Sequence, residues 1–241
     1  MNDYLERLLK RAPGLCVLVD PERTEPAAAA DLARSAEAAG AALLLIGTSY
    51  DGGARTGEVA AAIKRVCGLP LLLFPGSAAQ LVPDVDAVLL LSLVSGRNPQ
   101  YLIEEHVRAV PFFTRHPVPA ISTAYILVDG GRVTAVEAVS QTRPLPADKP
   151  EIAAAHAVAG SMIGMAAVYL DAGSGAANPV CPSIIHAVRQ AVSLPLFVGG
   201  GMRSAEQVHA ARAAGADFVV VGNAIEDGGA AAIATLVAAA R

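Results

Sequence analysis

The chain is poor in cysteine, and what it has forms no pattern. Cys16, Cys67 and Cys181 are odd in number and widely spaced. No two make a CxxC, so neither a zinc site nor a dithiol redox motif is indicated. They read as reduced thiols inside a cytoplasmic protein. Positive charge is also scarce: 18 Lys and Arg stand against 22 Asp and Glu, a net charge of −4. No nucleic-acid partner is expected of such a chain. His106, His116, His156, His186 and His209 have no Cys or Asp at metal-ligand spacing, so they read as structural or surface groups. Although 54% of residues are hydrophobic, no apolar run reaches the roughly 20 residues that span a bilayer. Residues 1–11 are charged and amphipathic, unlike a signal peptide. A GxGxxG near the start, a repeat longer than one strand and one helix, and a low-complexity linker are all missing.

What is present is a steady alternation. Apolar strand-like runs fall at 15–20, 42–47, 69–74, 87–92, 120–128, 166–170, 194–198 and 218–221. Amphipathic helical segments lie between them, at 26–39, 57–66, 100–110, 150–163, 182–192 and 205–214. Pro26 and Pro182 suit first helical turns, and Gly40 and Gly215 suit helix ends. A chain of 241 residues can bury one large core. About eight strand–helix steps predict an α/β fold, a (β/α)8 TIM barrel of parallel strands in a single domain over residues 1–241. An open doubly wound sheet is the competing fold. Two departures from the beat are expected. Residues 75–86, after the third strand, are too short for a full helix. After the fifth strand, Asp129-Gly130-Gly131 reads as a hairpin turn, followed by weak alternation over 132–140 and a proline-rich loop over 142–150.

In such a barrel the strand C-termini share one face, and active sites sit there. That face would gather Asp20, Ser49, the segment from Ser95 to Asn98, Asp171, Gly200-Gly201 and Gly222-Asn223. The sixth strand runs through Tyr169-Leu170-Asp171 into Ala172-Gly173-Ser174-Gly175. A glycine-rich loop lets backbone N–H groups approach an anion closely. Glycine-rich ends after strands seven and eight complete a phosphate cradle of the kind barrels use. Blander readings stand beside these. Asp20 could cap a helix or pair with an arginine, and Ser49 could be a turn residue. The glycine triplet could be only a tight turn, and Asp171 only a structural acid. Arg97 could meet a diphosphate or pair with Glu104 or Glu105.

These segments carry a resemblance. VDPER (19–23), GTS (47–49), FPGS (74–77), SLVSGRNP (92–99), YILVDGG (125–131), YLDAGSGA (169–176) and the stretches 199–204 and 221–226 occur in order along nearly the whole chain. The chain resembles the geranylgeranylglyceryl phosphate synthase family, whose bacterial relatives are called PcrB. YILVDGG and DKPEIA (148–153) resemble the long-form branch, with many archaeal and some bacterial members. The resemblance implies transfer of a geranylgeranyl group from its diphosphate to the 3-hydroxyl of sn-glycerol 1-phosphate, with Mg²⁺. Asp20 and Ser49 match the family's metal positions. Tyr169 and Asp171 match positions that hold the glycerol, with Asp171 orienting the 3-hydroxyl and accepting its proton. The phosphate would rest on Gly173, Ser174, Gly175, Gly200, Gly201, Gly222 and Asn223, and Leu170 and Ala172 would belong to the same run of substrate-binding residues. Arg97, Phe74 and Tyr125 would face the prenyl diphosphate, and Leu93, Val94 and Tyr101 would join them along an apolar groove. A homo-oligomer, dimer or hexamer, is implied, with a lipid product that partitions to membranes.

Three departures from the family are visible. Asp171 stands where Glu is usual, which retracts the carboxylate by about 1.5 Å. On that ground Asp171→Glu is expected to raise activity. Glu22-Arg23 replace a common Asp-Lys pair, and Leu18 stands where the short branch has lysine. A different phosphate-binding barrel enzyme, a non-catalytic glycerol-phosphate binder, and a purely structural or assembly protein are the rival functions.

Overall fold

The computed structural model describes residues 3–50 and 53–241. Met1 and Asn2 of the amphipathic N-terminal segment lie outside the described residues. Eight parallel strands close into a barrel in chain order. They are β1 (Gly14–Val19), β2 (Leu43–Ile46), β3 (Leu71–Leu73), β4 (Ala87–Leu93), β5 (Ala120–Leu127), β6 (Ala167–Asp171), β7 (Leu196–Gly199) and β8 (Phe218–Val221). Around them lie α1 (Asp3–Leu9), α2 (Pro26–Ala39), α3 (Gly53–Lys64), α4 (Glu105–Arg115), α5 (Ala135–Ser140), α6 (Pro150–Met162), α7 (Pro182–Ala191), α8 (Ala205–Ala213) and α9 (Asn223–Ala239). The open-sheet alternative is excluded by the β1–β8 ladder, in which Cys16 pairs with Val220 and Val17 with Val221.

Alternation along each strand divides the core in two. Val17, Val19, Leu44, Ile46, Val168, Leu170, Val198 and Val219 point outward to the alanine faces of the helices. Cys16, Leu43, Leu45, Leu89, Tyr169, Phe197 and Phe218 point inward, where Leu5 and Leu8 of α1 join them. The register sets Leu93 beside Tyr125, Tyr125 beside Tyr169, Tyr169 beside Phe197 and Phe197 beside Phe218. The chain has only five Tyr and five Phe, and this row takes two of each. Phe74 lies on it, stacked on Tyr169 with ring centroids 4.7 Å apart. Burial of each ring contributes about 1.5–3 kcal/mol. The aromatic ribbon thus fills the barrel's centre and floors the site above it.

Both expected irregularities are real, and one has a different form. After β3 there is only a single 3-10 turn, Ala78–Gln80. After β5 there is no hairpin. Gly131 N–H donates to Asp129 Oδ1 at 2.8 Å, so Asp129 closes an Asx turn on itself. The chain then forms α5, not a returning strand, and Val128 pairs with Leu145 in parallel. The weak alternation of 132–140 is helical spacing: Val136 and Val139 face a cleft at the strand ends.

Candidate active site

That cleft opens at the C-terminal ends of the strands, its polar end over the barrel axis. Asp20, Ser49, Tyr169, Asp171, Ser174, Gly175, Gly200, Gly201, Gly222 and Asn223 all line it. The period of two explains the placement: Tyr169 and Asp171 share the inward face of β6, as Leu18 and Asp20 share that of β1.

Asp171 is the last residue of β6 and only 7% exposed. Tyr125 donates its hydroxyl hydrogen to Asp171 Oδ2 in a short contact. Gly173 N–H donates to Oδ1 at 2.8 Å. Burial pushes the Asp171 carboxyl above its ordinary range, while these two hydrogen bonds pull it back. Burial also drives the Tyr125 and Tyr169 phenols well upward, with Asp171 as a neighbouring negative charge. The phenols therefore stay protonated, and Tyr125 stays a donor. Gly200 fits against this assembly with φ 80°; a Cβ there would meet Asp171 Oδ1 and the backbone nitrogens of Ala172 and Gly173.

The two helix N-termini beside the glycines differ. Ser204 and Gln207 form a capping box on α8, and Gln207 Oε1 also accepts from Arg203 N–H at 2.7 Å. That end carries its own side-chain cap. Gly222, at the head of α9, has no side chain to cap with, and it lines the cleft together with Asn223. An anion fits there, beside the Gly200-Gly201 turn and Ser174. Ser174 Oγ already lies 3.4 Å from Asn223 Oδ1.

Across the mouth, Asp20 Oδ1 accepts from Glu22 N–H at 2.9 Å. Asp20 and Ser49 both line the cleft. Among the described residues no three His, Cys, Asp or Glu side chains gather. One carboxylate and one hydroxyl fit a hard ion that takes its remaining ligands from water and substrate phosphate.

Several expected residues fall elsewhere. Leu170 and Ala172 pack outward in the helix-facing core. Gly173 serves through its hydrogen bond to Asp171 and does not line the cleft. Arg97 does not line it either: its Nη1 donates to Gly96 O at 2.7 Å. Nor does it meet Glu104 or Glu105, since Glu104 pairs with Arg108. Ser95 Oγ accepts from Leu127 N–H at 2.9 Å, and Asn98 Nδ2 donates to Ser140 O at 2.9 Å. The 95–98 segment thus ties β4 to β5 and α5. Of the groove residues, Phe74, Leu93, Tyr101 and Tyr125 line the cleft, whereas Val94 packs on the helix-facing core.

The far wall was not foreseen from the sequence. Leu90, Leu91, Ala109, Val136 and Val139 extend the cleft as an apolar groove between the turn after β3, α4 and α5. The groove occupies the side where the missing helix would have packed. Half-exposed leucines on both faces of β4, Leu90 and Leu91, are its mark, and both sit in an apolar run that looks like plain core. Arg23 and Arg203 also line the polar end.

Comparison with known proteins agrees with this geometry. Residues 7–240 match the model of the PcrB family. A geranylgeranylglyceryl phosphate synthase of Chitinophaga pinensis is 44% identical over 93% of this chain and 89% of its own. The synthase of Korarchaeum cryptofilum is 40% identical, covering 93% of each. The crystal structure of the Thermoplasma acidophilum (S)-3-O-geranylgeranylglyceryl phosphate synthase, in complex with sn-glycerol-1-phosphate, superposes with a TM-score of 0.92 at 29% identity, over 98% of this chain and 96% of that one.

Proposed function

Since the chain belongs to the PcrB family, we propose that it is a geranylgeranylglyceryl phosphate synthase, working as one domain. It transfers a geranylgeranyl group from geranylgeranyl diphosphate to the 3-hydroxyl of sn-glycerol 1-phosphate. The observation that carries this reading is the cleft itself. An uncapped helix N-terminus with a glycine turn meets a buried carboxylate, and an apolar groove leads away from both.

In this reading the acceptor phosphate lies on Ser174, Gly175, Gly200, Gly201, Gly222 and Asn223. The glycerol reaches down to Tyr169 and Asp171. The 3-hydroxyl oxygen bonds to prenyl C1 while the C1–O bond to diphosphate breaks. Asp171 takes the hydroxyl proton, and its raised basicity suits that role. Asp20 and Ser49 would hold Mg²⁺, which supplies charge neutralisation for the departing diphosphate. The prenyl chain follows Phe74, Tyr125 and Leu93 into the groove.

No helix among the described residues is long and apolar enough to cross a membrane. The unpaired Cys16, Cys67 and Cys181 support a cytoplasmic enzyme that hands its product to a bilayer. Exposed Ile103, Val107 and Val110 support the expected homo-oligomer, which would cover them.

The test is an assay with sn-glycerol 1-phosphate, Mg²⁺ and prenyl diphosphates of C15, C20 and C35, with sn-glycerol 3-phosphate as control. Ether product with C20 and the 1-phosphate is expected. Turnover of a sugar phosphate with no prenyl donor, or binding of glycerol phosphate with no diphosphate release, would replace this reading with one of its rivals. Chelation should abolish product formation. Asp20→Ala should raise the Mg²⁺ concentration for half-maximal rate by at least about tenfold. An unchanged Mg²⁺ titration would remove Asp20 from the metal site.

A further inference from the structure

Glu105 is a buried acid, 9% exposed, in the apolar part of the cleft. Prenyl transfer as proposed does not use it, and apolar walls are poor company for a carboxylate. Its two oxygens have separate partners. Oε2 accepts from Ala78 N–H at 2.7 Å, across 27 residues of chain. Oε1 accepts from Gln100 Nε2 at 3.1 Å. Arg108 adds a weaker contact at 3.9 Å.

The first of these explains the side chain. Ala78 opens the 3-10 turn that replaces a barrel helix, so its N–H has no partner within the turn. Ser77 stands at the N-cap position but makes no side-chain cap, and it lines the cleft. Glu105 supplies the cap from another element. The chain before α4 is shaped for this: Gln100–Glu104 is a π-helical turn, which shifts the phase of α4. Glu105 then faces inward while Glu104 and Arg108 stay exposed.

The turn and α4 are the two jambs of the groove's exit, with Ala78 and Leu81 on one side and Glu105 and Ala109 on the other. We infer that Glu105 is a positioning residue that sets the aperture through which the prenyl chain leaves the barrel, by latching the turn after β3 to α4. This deepens the donor side of the proposed function and rests on it. The latch makes no contact with the acceptor's phosphate cradle, so it acts on the donor alone.

The experiment compares Glu105→Ala and Glu105→Gln with the wild-type enzyme, in kinetics and in amide hydrogen exchange. Gln keeps an acceptor for Ala78 N–H; Ala does not. The Ala variant should raise KM for geranylgeranyl diphosphate roughly fivefold, the scale of one net hydrogen bond. KM for sn-glycerol 1-phosphate should stay unchanged, the ratio of C35 to C20 turnover should rise, and Gln should restore wild-type values. Equal shifts in both KM values, no shift in either, or a Gln variant as impaired as Ala would overturn the aperture role. Exchange at Ala78 reads the latch without activity: the amide should be protected in the wild type and Gln variant and fast in Ala. Protection retained in Ala would overturn the latch. A wild-type enzyme that makes no ether product sinks the functional reading, and the exchange result still decides the contact.

Discussion

Asp171→Asn is expected to lower kcat/KM for prenyl transfer by roughly 10²- to 10⁴-fold, the range a positioned general base supplies. Asn fills the same volume and can still accept from the Tyr125 hydroxyl. It lacks a lone pair basic enough to take the 3-hydroxyl proton. The pH profile carries a second readout. The Asp171 carboxyl sits above its ordinary range because burial penalises its charge. The acid limb of kcat/KM should therefore lie above the pH at which an exposed carboxylate titrates. Stability moves with the opposite sign. The folded pKa is raised, so Asp171's contribution to stability is fully present below the unfolded value of about 3.9. It is lost as pH rises through the folded value. The Asn variant has no such loss. The difference in Tm, variant minus wild type, should thus be larger at neutral pH than below the unfolded carboxyl value of about 3.9. A flat difference would mean that the acid is not held ionised at cost. An activity within tenfold of wild type would move the base elsewhere.

The same packing reverses the sign of the expectation drawn from Asp171 standing in place of Glu. One oxygen is engaged by Tyr125 and the other by Gly173, and Gly200 closes in from β7. A further methylene has no room in that pose. Asp171→Glu is now expected to slow the reaction, because the longer acid must break with Tyr125 or leave its slot. A misplacement of about 1 Å can cost roughly 10²-fold. A faster Glu variant would show that the slot yields.

How much of the fold and site is legible in the sequence depends on the range of each interaction. Strand and helix identities rest on periodicity within a dozen residues, and α2 begins and ends where Pro26 and Gly40 predict. The glycine turns are legible because positive φ narrows the choice of residue: Gly173, Gly175, Gly200 and Gly201 all have it. The hairpin expected at Asp129-Gly130-Gly131 fails because turn residues specify a turn and not the element after it. There Asp129 bonds Gly131, and Thr134 starts a helix. Arg97 is misplaced by sequence reasoning because a guanidinium near a site can be satisfied by carbonyls of its own loop. Glu105 leaves no sequence signal, since its partner is an amide on another loop. Nor can alternation place the groove, because the gap that forms it is a missing helix.

Gly200→Ala tests whether the glycine turn is shaped by packing as well as by phosphate. At φ 80° an L-residue with a Cβ is disfavoured by about 1–2 kcal/mol. That Cβ would also stand 2.6 Å from both Ala172 N and Gly173 N. Relieving this overlap pushes β7 away from the β6 loop, at about 1–3 kcal/mol more. A total destabilisation of roughly 2–5 kcal/mol should appear as a lower denaturant midpoint at unchanged m-value. Gly175 is the contrast: its φ is 72°, but nothing lies within 4 Å of an added Cβ. Gly175→Ala should show the conformational penalty alone and remain folded. The two variants then separate fold from ligand. If the phosphate rests on both turns, each should weaken sn-glycerol 1-phosphate binding, yet only Gly200→Ala should also pull Asp171 out of register and depress kcat. Equal stability losses would mean that the Gly200 contacts relax freely. An unchanged KM for the acceptor in Gly175→Ala would take that loop out of the phosphate cradle, leaving the uncapped head of α9 and the Gly200-Gly201 turn to hold the anion.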